Sequence, residues 1–457
     1  MTTFLCWGSL VLALALAPLL AREPRAPNVV FILVDDMGYV DLGCYGNPYN
    51  ETPHLDGLAA AGMRFTQAYA APACSPSRAA LMTGMAPARL KITTALGLGR
   101  TDPASPVNPP QTAAALPGEA VTLAEKLRDA GYRTGMIGKW HLGTSAGTRP
   151  EDQGFSFVRK ITKNELNYYH YEISDGEGVV YSDDGTSYMT DQLTEYALEF
   201  LGQDHREPFF LYLAYTVPHV YIIPKSQNLE KYLRKYNRFG GEYNPYYASM
   251  IDNLDENVGR ILSALDASGK REDTLIVFMS DNGGVGMDQL GPTPTSVRPL
   301  RGWKGHVYEG GVRVPLILSW KDRIRAGRVE DTPVIIEDFF PTLLDLAGAE
   351  SSVDAIEGRS LKSVISGEHH AFTPRNLYWH FPHFTGQGGR PAAALRSGSW
   401  KLVQNLETGI FELYNLEADL SERHDVLKEH PEVARQLIAD MMRWRDEVGA
   451  DMPTQKK

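Results

Sequence analysis

Two polar pairs stand out because each closely follows an apolar run: Asp35-Asp36 after Val29–Val34, and Asp281-Asn282 after Thr274–Met279. Three carboxylates and an amide oxygen make an all-oxygen donor set, which suits a hard divalent cation, Ca²⁺ or Mg²⁺, rather than zinc. Either pair alone also fits ordinary strand-end capping and turn chemistry. A cationic set accompanies them: Arg78, Lys139 and Lys304, with His141 and His219. Alone, each histidine fits a satisfied structural role and a surface lysine is simply solvated. Together, a cation site beside positive and protonatable groups describes a pocket for a tetrahedral oxyanion ester. Cys74 is the odd member, in Ala73-Cys74-Ser75-Pro76-Ser77-Arg78, just ahead of an expected helix over Ala79–Thr83. Backbone amides at such a helix start form an anion site. A lone cysteine is usually a small buried hydrophobe, and a thiolate is too soft for a Ca²⁺ or Mg²⁺ site. The position suits an oxygen nucleophile, yet it holds sulfur.

These residues must be positioned by elements far apart in the chain. Five apolar runs read as buried strands: Val29–Val34, Thr134–Ile137, Phe209–Tyr215, Thr274–Met279 and Val314–Trp320. Helical spacing marks Leu55–Met63, Val121–Ala130, Asp191–Leu201 and Ala248–Leu265, with a further helix stopping at Gly348. The alternation predicts an α/β fold: a large mixed, mostly parallel sheet sandwiched by helices. In open α/β sheets the ligand crevice lies outside the carboxyl ends of the strands, which gathers the polar clusters at one edge. Beyond the glycine stop the pattern changes. Short strands over Arg375–His380, Ala393–Arg396, Trp400–Gln404 and Glu412–Asn415, then a helix over Val433–Val448, predict a smaller C-terminal antiparallel sheet plus helix. The expected division is a catalytic α/β domain over 22–350 and a smaller α+β subdomain over 351–457. Asp102–Pro117 and Asn167–Ser187 read as surface loops near the substrate entrance. Tyr168, Tyr169 and His170, and the run His380–Phe384, are candidate sugar-binding side chains, equally suited to packing.

Composition narrows the partners. A net charge of −11 over 457 residues argues against nucleic acid, whose phosphates need clustered Lys and Arg. A polyanionic substrate must be drawn in by local cations instead. Phe4–Leu20 is an uninterrupted apolar run, read as a signal peptide over 1–21 that is removed on export to the periplasm or medium. Cys44 and Cys74 then remain, too few for a disulfide framework. A bridge between the two stays open at this level.

Cys74-Ser75-Pro76-Ser77-Arg78 resembles the C-x-P-x-R signature of the type I sulfatases, the formylglycine-dependent, arylsulfatase A-like family of the alkaline phosphatase superfamily. Asn28–Gly46, Gly131–Gly143 and Leu300–Pro315 resemble further blocks of that family, as does Glu412–Leu416 before Asp419 and Glu422. The resemblance implies that a formylglycine-generating or equivalent maturation enzyme oxidises Cys74 to Cα-formylglycine, whose hydrate replaces sulfur with two hydroxyl oxygens. It further implies Ca²⁺ (or Mg²⁺) held by Asp35, Asp36, Asp281, Asn282 and the modified Cys74. Arg78 and Lys139 would stabilise the nucleophile, and His141 would take its proton. His219, Lys304 and Lys139 would hold the sulfate, His219 and Lys304 also protonating the leaving oxygen. The implied activity is a sulfuric ester hydrolase acting on a sulfated small molecule or carbohydrate. A phosphatase or phosphonate monoester hydrolase of the same superfamily is the alternative. It would be expected to recruit a second metal, and one clear metal set favours sulfate. The filled catalytic positions also disfavour an inactive carbohydrate-binding relative. One departure is Glu151-Asp152-Gln153-Gly154-Phe155, where many relatives carry His-Gly-Phe-Asp.

Overall fold

Strand β1 (Asn28–Val34) alternates its side chains between two buried faces, so its whole length is apolar. Val29, Phe31 and Leu33 pack against α2 (Cys74–Thr83), α3 (Leu123–Asp129) and α7 (Phe339–Ala347). Val30, Ile32 and Val34 pack against α1 (Pro53–Ala60), α4 (Met189–Gly202) and α6 (Pro245–Ala267). Each such side chain stabilises the fold by about 1.5–3 kcal/mol on burial. The computed structural model describes residues 26–456 apart from 164–166, 183–184, 240–242, 287–294, 296, 351–352, 354 and 369–371. The apolar run Phe4–Leu20 lies outside the described residues. No helix of the described residues is long and apolar enough to cross a membrane.

Ten strands form one sheet among these residues. Besides β1 they are β2 (Met63–Phe65), β3 (Arg133–Gly138), β4 (Phe157–Lys163), β5 (Glu172–Ser174), β6 (Val179–Ser182), β7 (Phe209–Ala214), β8 (Thr274–Ser280), β9 (Leu316–Ser319) and β10 (Arg328–Glu330). Their order is β10-β2-β9-β8-β1-β7-β3-β4-β5-β6. The central run from β8 to β4 is parallel, whereas β9, β5 and β6 run antiparallel to neighbours. The sandwiched, mostly parallel sheet is therefore as the apolar runs predict. Three local readings change. Met63 belongs to β2 rather than to the preceding helix, because the helix ends at Ala60. The segment read as a loop over Asn167–Ser187 carries the edge hairpin of β5 and β6. A polar helix, α5 (Ser226–Tyr236), had no apolar run to announce it.

The C-terminal sheet is antiparallel, in the order β11 (Leu377–Phe381), β12 (Ala392–Ser397), β13 (Trp400–Asn405), β14 (Phe411–Asn415). One face, with Leu395, Leu402 and Leu413, is covered by α8 (Pro431–Val448). The other, with Trp379, Ala394 and Val403, packs on Tyr69, Val307 and Val312 of the larger sheet's loops. At that junction Lys401 is fully buried and pairs with Glu309 Oε1 at 2.8 Å and Glu422 Oε1 at 3.1 Å. Burial would raise the Glu309 carboxyl, but Lys401, Arg313 and Arg396 outweigh it and hold it at about 2. Cys44 and Cys74 are both free thiols, so no bridge joins them.

Two stability predictions follow from buried charge. Lys401→Met removes the cation shared by Glu309 and Glu422, leaving Glu309 paired with Arg313 at 3.1 Å and Glu422 without its lysine. The loss lowers unfolding free energy by about 3–5 kcal/mol in urea titration. Glu337 has a buried Oε2 with no hydrogen-bond partner. Burial, helped by Asp338 and Glu357 and opposed by Arg375, raises its carboxyl from 4.5 to about 8. Between those values the folded chain keeps a proton that the unfolded chain has released, so stability falls as pH rises through the window. Glu337→Gln flattens that slope and gains on the parent at about pH 8, with little difference at about pH 4, when both are unfolded in urea.

Candidate active site

The site begins where β1 ends. Successive side chains of a strand point to opposite faces, so adjacent aspartates in extended chain cannot share a pocket. Asp36 resolves this with φ of 68°, a left-handed conformation that aspartate tolerates better than most residues. Asp35, Asp36 and His219 thereby offer ligand atoms within 4.8 Å of one another, as do Asp35, Cys74 and Asp281. Asp281 and Asn282 arrive from β8, tied across by the Ser280 hydroxyl. It accepts from the Met37 amide at 3.0 Å and donates to the Asn282 carbonyl at 2.9 Å.

Cys74 is the first residue of α2, a helix buried along its whole length. Pro76 is tolerated because first-turn amides need no intrahelical partner. Ala73 precedes the helix and offers no side-chain cap, so the first-turn amides receive no capping oxygen from that residue. Arg78, one turn on, reaches Asp281 Oδ2 through Nη2 at 2.7 Å and Nε at 3.1 Å, and the Lys139 carbonyl at 2.8 Å. Tyr212 on β7 adds a longer contact to Arg78 at 3.4 Å. Lys139 follows Gly138, where φ is 105° and a Cβ would meet the Ala214 carbonyl oxygen at 2.0 Å. Only glycine fits that turn. Lys139 Nζ then lies 2.8 Å from Asp35 Oδ2. Burial alone would raise the Asp35 carboxyl, but Lys139, His219, Arg78 and Lys304 hold it well below the usual carboxylate range.

His141 also has positive φ, 57°, and its Nδ1 lies 3.4 Å from Cys74 Sγ. Its Nε2 faces the Leu96 carbonyl at 3.4 Å, which assigns the ring hydrogen to Nε2 and leaves Nδ1 as acceptor. Burial, with Lys139 and Arg78 nearby, keeps this imidazole neutral well below its ordinary value. Burial raises the Cys74 thiol's pKa against the pull of Lys139 and Lys304, which disfavours the thiolate. Lys304 closes the far side, with Nζ 2.6 Å from Asp36 Oδ1, and His219 Nε2 lies 3.4 Å from Asp36 Oδ2. A cleft of about 230 Å³ opens over Asp36, His219, Lys304 and Ala73.

Every residue singled out from the sequence for the site is thus brought to one sheet edge. The aromatic candidates are not. Tyr168 is fully buried, its hydroxyl donating to the Thr216 and His219 carbonyls, so it supports the His219 loop from below. His380 bonds to the Asp451 carbonyl and His383 to Thr93, and Phe381 is core. The cleft wall is formed instead by Thr385, Gly386 and Gln387, just after that run. Two supports were invisible in the pattern. Tyr247 on α6 donates to Asp41 Oδ2 at 2.6 Å beneath Asp36. Ser75 donates to the His141 carbonyl at 3.0 Å and accepts from the Leu96 amide at 3.1 Å, clamping both walls of the imidazole. The departing segment Glu151–Phe155 pairs Asp152 with Arg149 at 2.8 Å and sets Phe155 edge-on against Trp140, the residue before His141.

A mostly parallel sheet that gathers carboxylates, cations and an uncapped helix start at one edge defines a hydrolase of oxyanion esters. The family profile Sulfatase matches residues 27–349, and N-sulphoglucosamine sulphohydrolase, C-terminal, matches 302–447. The chain belongs to the sulfatase family and is a sulfuric ester hydrolase. A sulfatase of Formosa agariphila is 30% identical over 92% of this chain and 88% of its own. N-acetylgalactosamine-6-sulfatase of Rattus norvegicus is 34% identical over 78% of this chain and 68% of its own. Arylsulfatase A of Homo sapiens is 32% identical over 86% and 77% respectively. The crystal structure of Ps i-CgsB is 29% identical and superposes with a TM-score of 0.78, covering 92% of this chain and 93% of that one. A phosphonate monoester hydrolase of Agrobacterium radiobacter shares the fold at 20% identity and a TM-score of 0.65.

Ser75→Ala releases the His141 carbonyl and the Leu96 amide together. It lowers kcat for sulfate-ester hydrolysis roughly ten-fold by loosening the imidazole, at a stability cost of about 1–3 kcal/mol, read by steady-state kinetics and urea unfolding.

Proposed function

We propose that the enzyme removes sulfate from a sulfated carbohydrate through a hydrated formylglycine made from Cys74, with Ca²⁺ beside it. The observation that carries this reading is the placement of Cys74: first residue of a buried helix, against a neutral imidazole, among cations, with its thiol pushed away from ionisation. Oxidation to the aldehyde, by a formylglycine-generating or equivalent enzyme, answers that mismatch. That group would supply two hydroxyl oxygens at position 74, one to displace the substrate alcohol from sulfur and one whose deprotonation would let sulfate leave as the aldehyde re-forms. Support for the sugar comes from relatives: N-acetylgalactosamine-6-sulfatase among them, and the Ps i-CgsB fold also solved with k-i-k-neocarrahexaose.

Asp35, Asp36, Asp281 and Asn282, with the oxygens at position 74, would hold the cation. The fit rests on oxygen chemistry: Asp35 Oδ1 and Asn282 Oδ1 are buried without any hydrogen-bond donor. Such an ion supplies positive charge for a sulfate oxygen and for the nucleophile. Arg78 and Lys139 place two fixed cations behind position 74, where negative charge gathers. His141 receives a proton at Nδ1, the nitrogen facing that position. Lys304 and His219, on the cleft side of Asp36, hold the sulfate and direct a proton to the departing alcohol oxygen. The apolar run Phe4–Leu20 supports export to the periplasm or medium, where sulfated polysaccharide is met.

Cys74→Ala abolishes release of sulfate from an aryl sulfate while leaving the melting temperature close to the parent's. Mass spectrometry of the parent peptide around position 74 finds an aldehyde or its hydrate in place of the thiol. Full activity in Cys74→Ala, or faster turnover of an aryl phosphate than of the sulfate, overturns this reading. Removal of divalent ions with a chelator lowers the melting temperature and Ca²⁺ restores it. Asp35→Asn loses that response, because the two remaining carboxylates bind the ion too weakly.

A further inference from the structure

Beyond the sulfate pocket, the outer cleft carries one cation that the chemistry at Asp36 does not engage. Arg100 lines the same cleft as Asp36, His219 and Lys304, and it is exposed. Lys304 and His219 both face the Asp36 carboxylate. Arg100 has no carboxylate partner among the described residues. The contrast with Arg390 is direct, since Arg390 is occupied by Glu407 at 2.5 Å and Asp102 at 3.3 Å.

Arg100 is also held in place. Its backbone forms an antiparallel bridge with Phe384, joining the stretch after α2 to the loop after β11. Its guanidinium lies over Gly386, where a Cβ would sit 2.8 Å from Cζ. A side chain at 386 would occupy the guanidinium's place. Around it the cleft is apolar: Leu98 is 61% exposed and Tyr221 is 49% exposed, both lining it. Large apolar side chains left in the open beside a cation suit a ring with one bare face and an anionic substituent. The protein's net charge of −11 works against an anion's approach, so an unpaired guanidinium at the mouth carries weight.

We propose that Arg100 is a specificity residue that binds a second anionic group on the sugar substrate, a carboxylate or a further sulfate, while Tyr221 and Leu98 pack on the sugar ring. The natural substrate is then a polyanionic saccharide rather than a singly sulfated neutral sugar. A planar guanidinium forks two hydrogen bonds onto carboxylate or sulfate, which an ammonium cannot reproduce. Because the group is bound equally before and during sulfur transfer, Arg100 acts on KM more than on kcat. Its exposure makes the effect sensitive to salt. This rests on the sulfatase reading with a sugar substrate.

The test uses full-length mature enzyme and four probes: 4-nitrophenyl sulfate, a singly sulfated N-acetylhexosamine, the same sugar with a second sulfate, and the same sugar joined to a uronic acid. The parent enzyme prefers at least one doubly anionic probe over the singly sulfated sugar, and whichever is preferred identifies the group bound. Arg100→Ala shrinks that preference roughly ten-fold, chiefly through KM, and Arg100→Lys restores only part of it. The preference of the parent also narrows as salt rises from about 0.05 M to 0.5 M. An unchanged preference in Arg100→Ala, or a parent with none, overturns the proposal. Turnover of 4-nitrophenyl sulfate with no sugar probe hydrolysed instead sinks the carbohydrate reading, and no sulfate release from any probe sinks the wider one.

Discussion

The catalytic edge depends on burying Asp35, Asp36 and Asp281 together with Arg78, Lys139 and Lys304. Withdrawing each ion from water costs several kcal/mol, and the cost is offset only by close pairing with good geometry. The pairing is close: Arg78 to Asp281 at 2.7 Å, Lys139 to Asp35 at 2.8 Å, Lys304 to Asp36 at 2.6 Å. Such geometry survives only on a rigid base. Parallel strands with fully buried apolar side chains provide it, and their backbone ladders fix where each chain end emerges. Left-handed residues at Asp36 and His141 then turn polar side chains inward. That conformation costs of order 1–3 kcal/mol per residue, which the surrounding packing must over-determine.

The C-terminal sheet is part of the same arrangement. The segment from Lys304 to Glu309 touches the site at one end, through Asp36, and the small sheet at the other, through Lys401. Arg301 adds to the joint, its guanidinium 3.8 Å from the Tyr308 ring centroid and bonded to the Tyr414 hydroxyl at 2.7 Å. The small sheet also contributes the cleft wall at Thr385–Gln387. The catalytic edge and the Thr385–Gln387 wall of the cleft are therefore coupled through one short segment and a buried ionic cluster.

Particular elements show why some of this was readable in advance and some was not. Strands β1, β7 and β8 declare themselves because both faces are buried, which forces a continuous apolar run. Phe157–Lys163 does not, because charged residues interrupt an edgeward strand that its neighbour's hydrogen bonds sustain. The Glu172–Ser182 hairpin is hidden for the same reason, with Val179 and Val180 exposed. Tyr168 has the composition of a sugar-binding residue, yet it spends its hydroxyl on the backbone that carries His219.

By itself the sequence determined the residue types: oxygen donors for a hard cation, a cysteine ahead of an arginine, and cations set after strands. Those types follow from local pattern, since strand ends and helix starts are short-range features. Tertiary structure alone decided that Asp35 and Asp36 share one pocket, and that His141 presents Nδ1 to Cys74. It also decided that Arg100 lines the cleft with no carboxylate partner among the described residues. These depend on contacts between residues tens to hundreds of positions apart, such as Ser75 with His141 and Arg100 with Gly386. Backbone conformation and long-range packing set those contacts, and no local spacing encodes them.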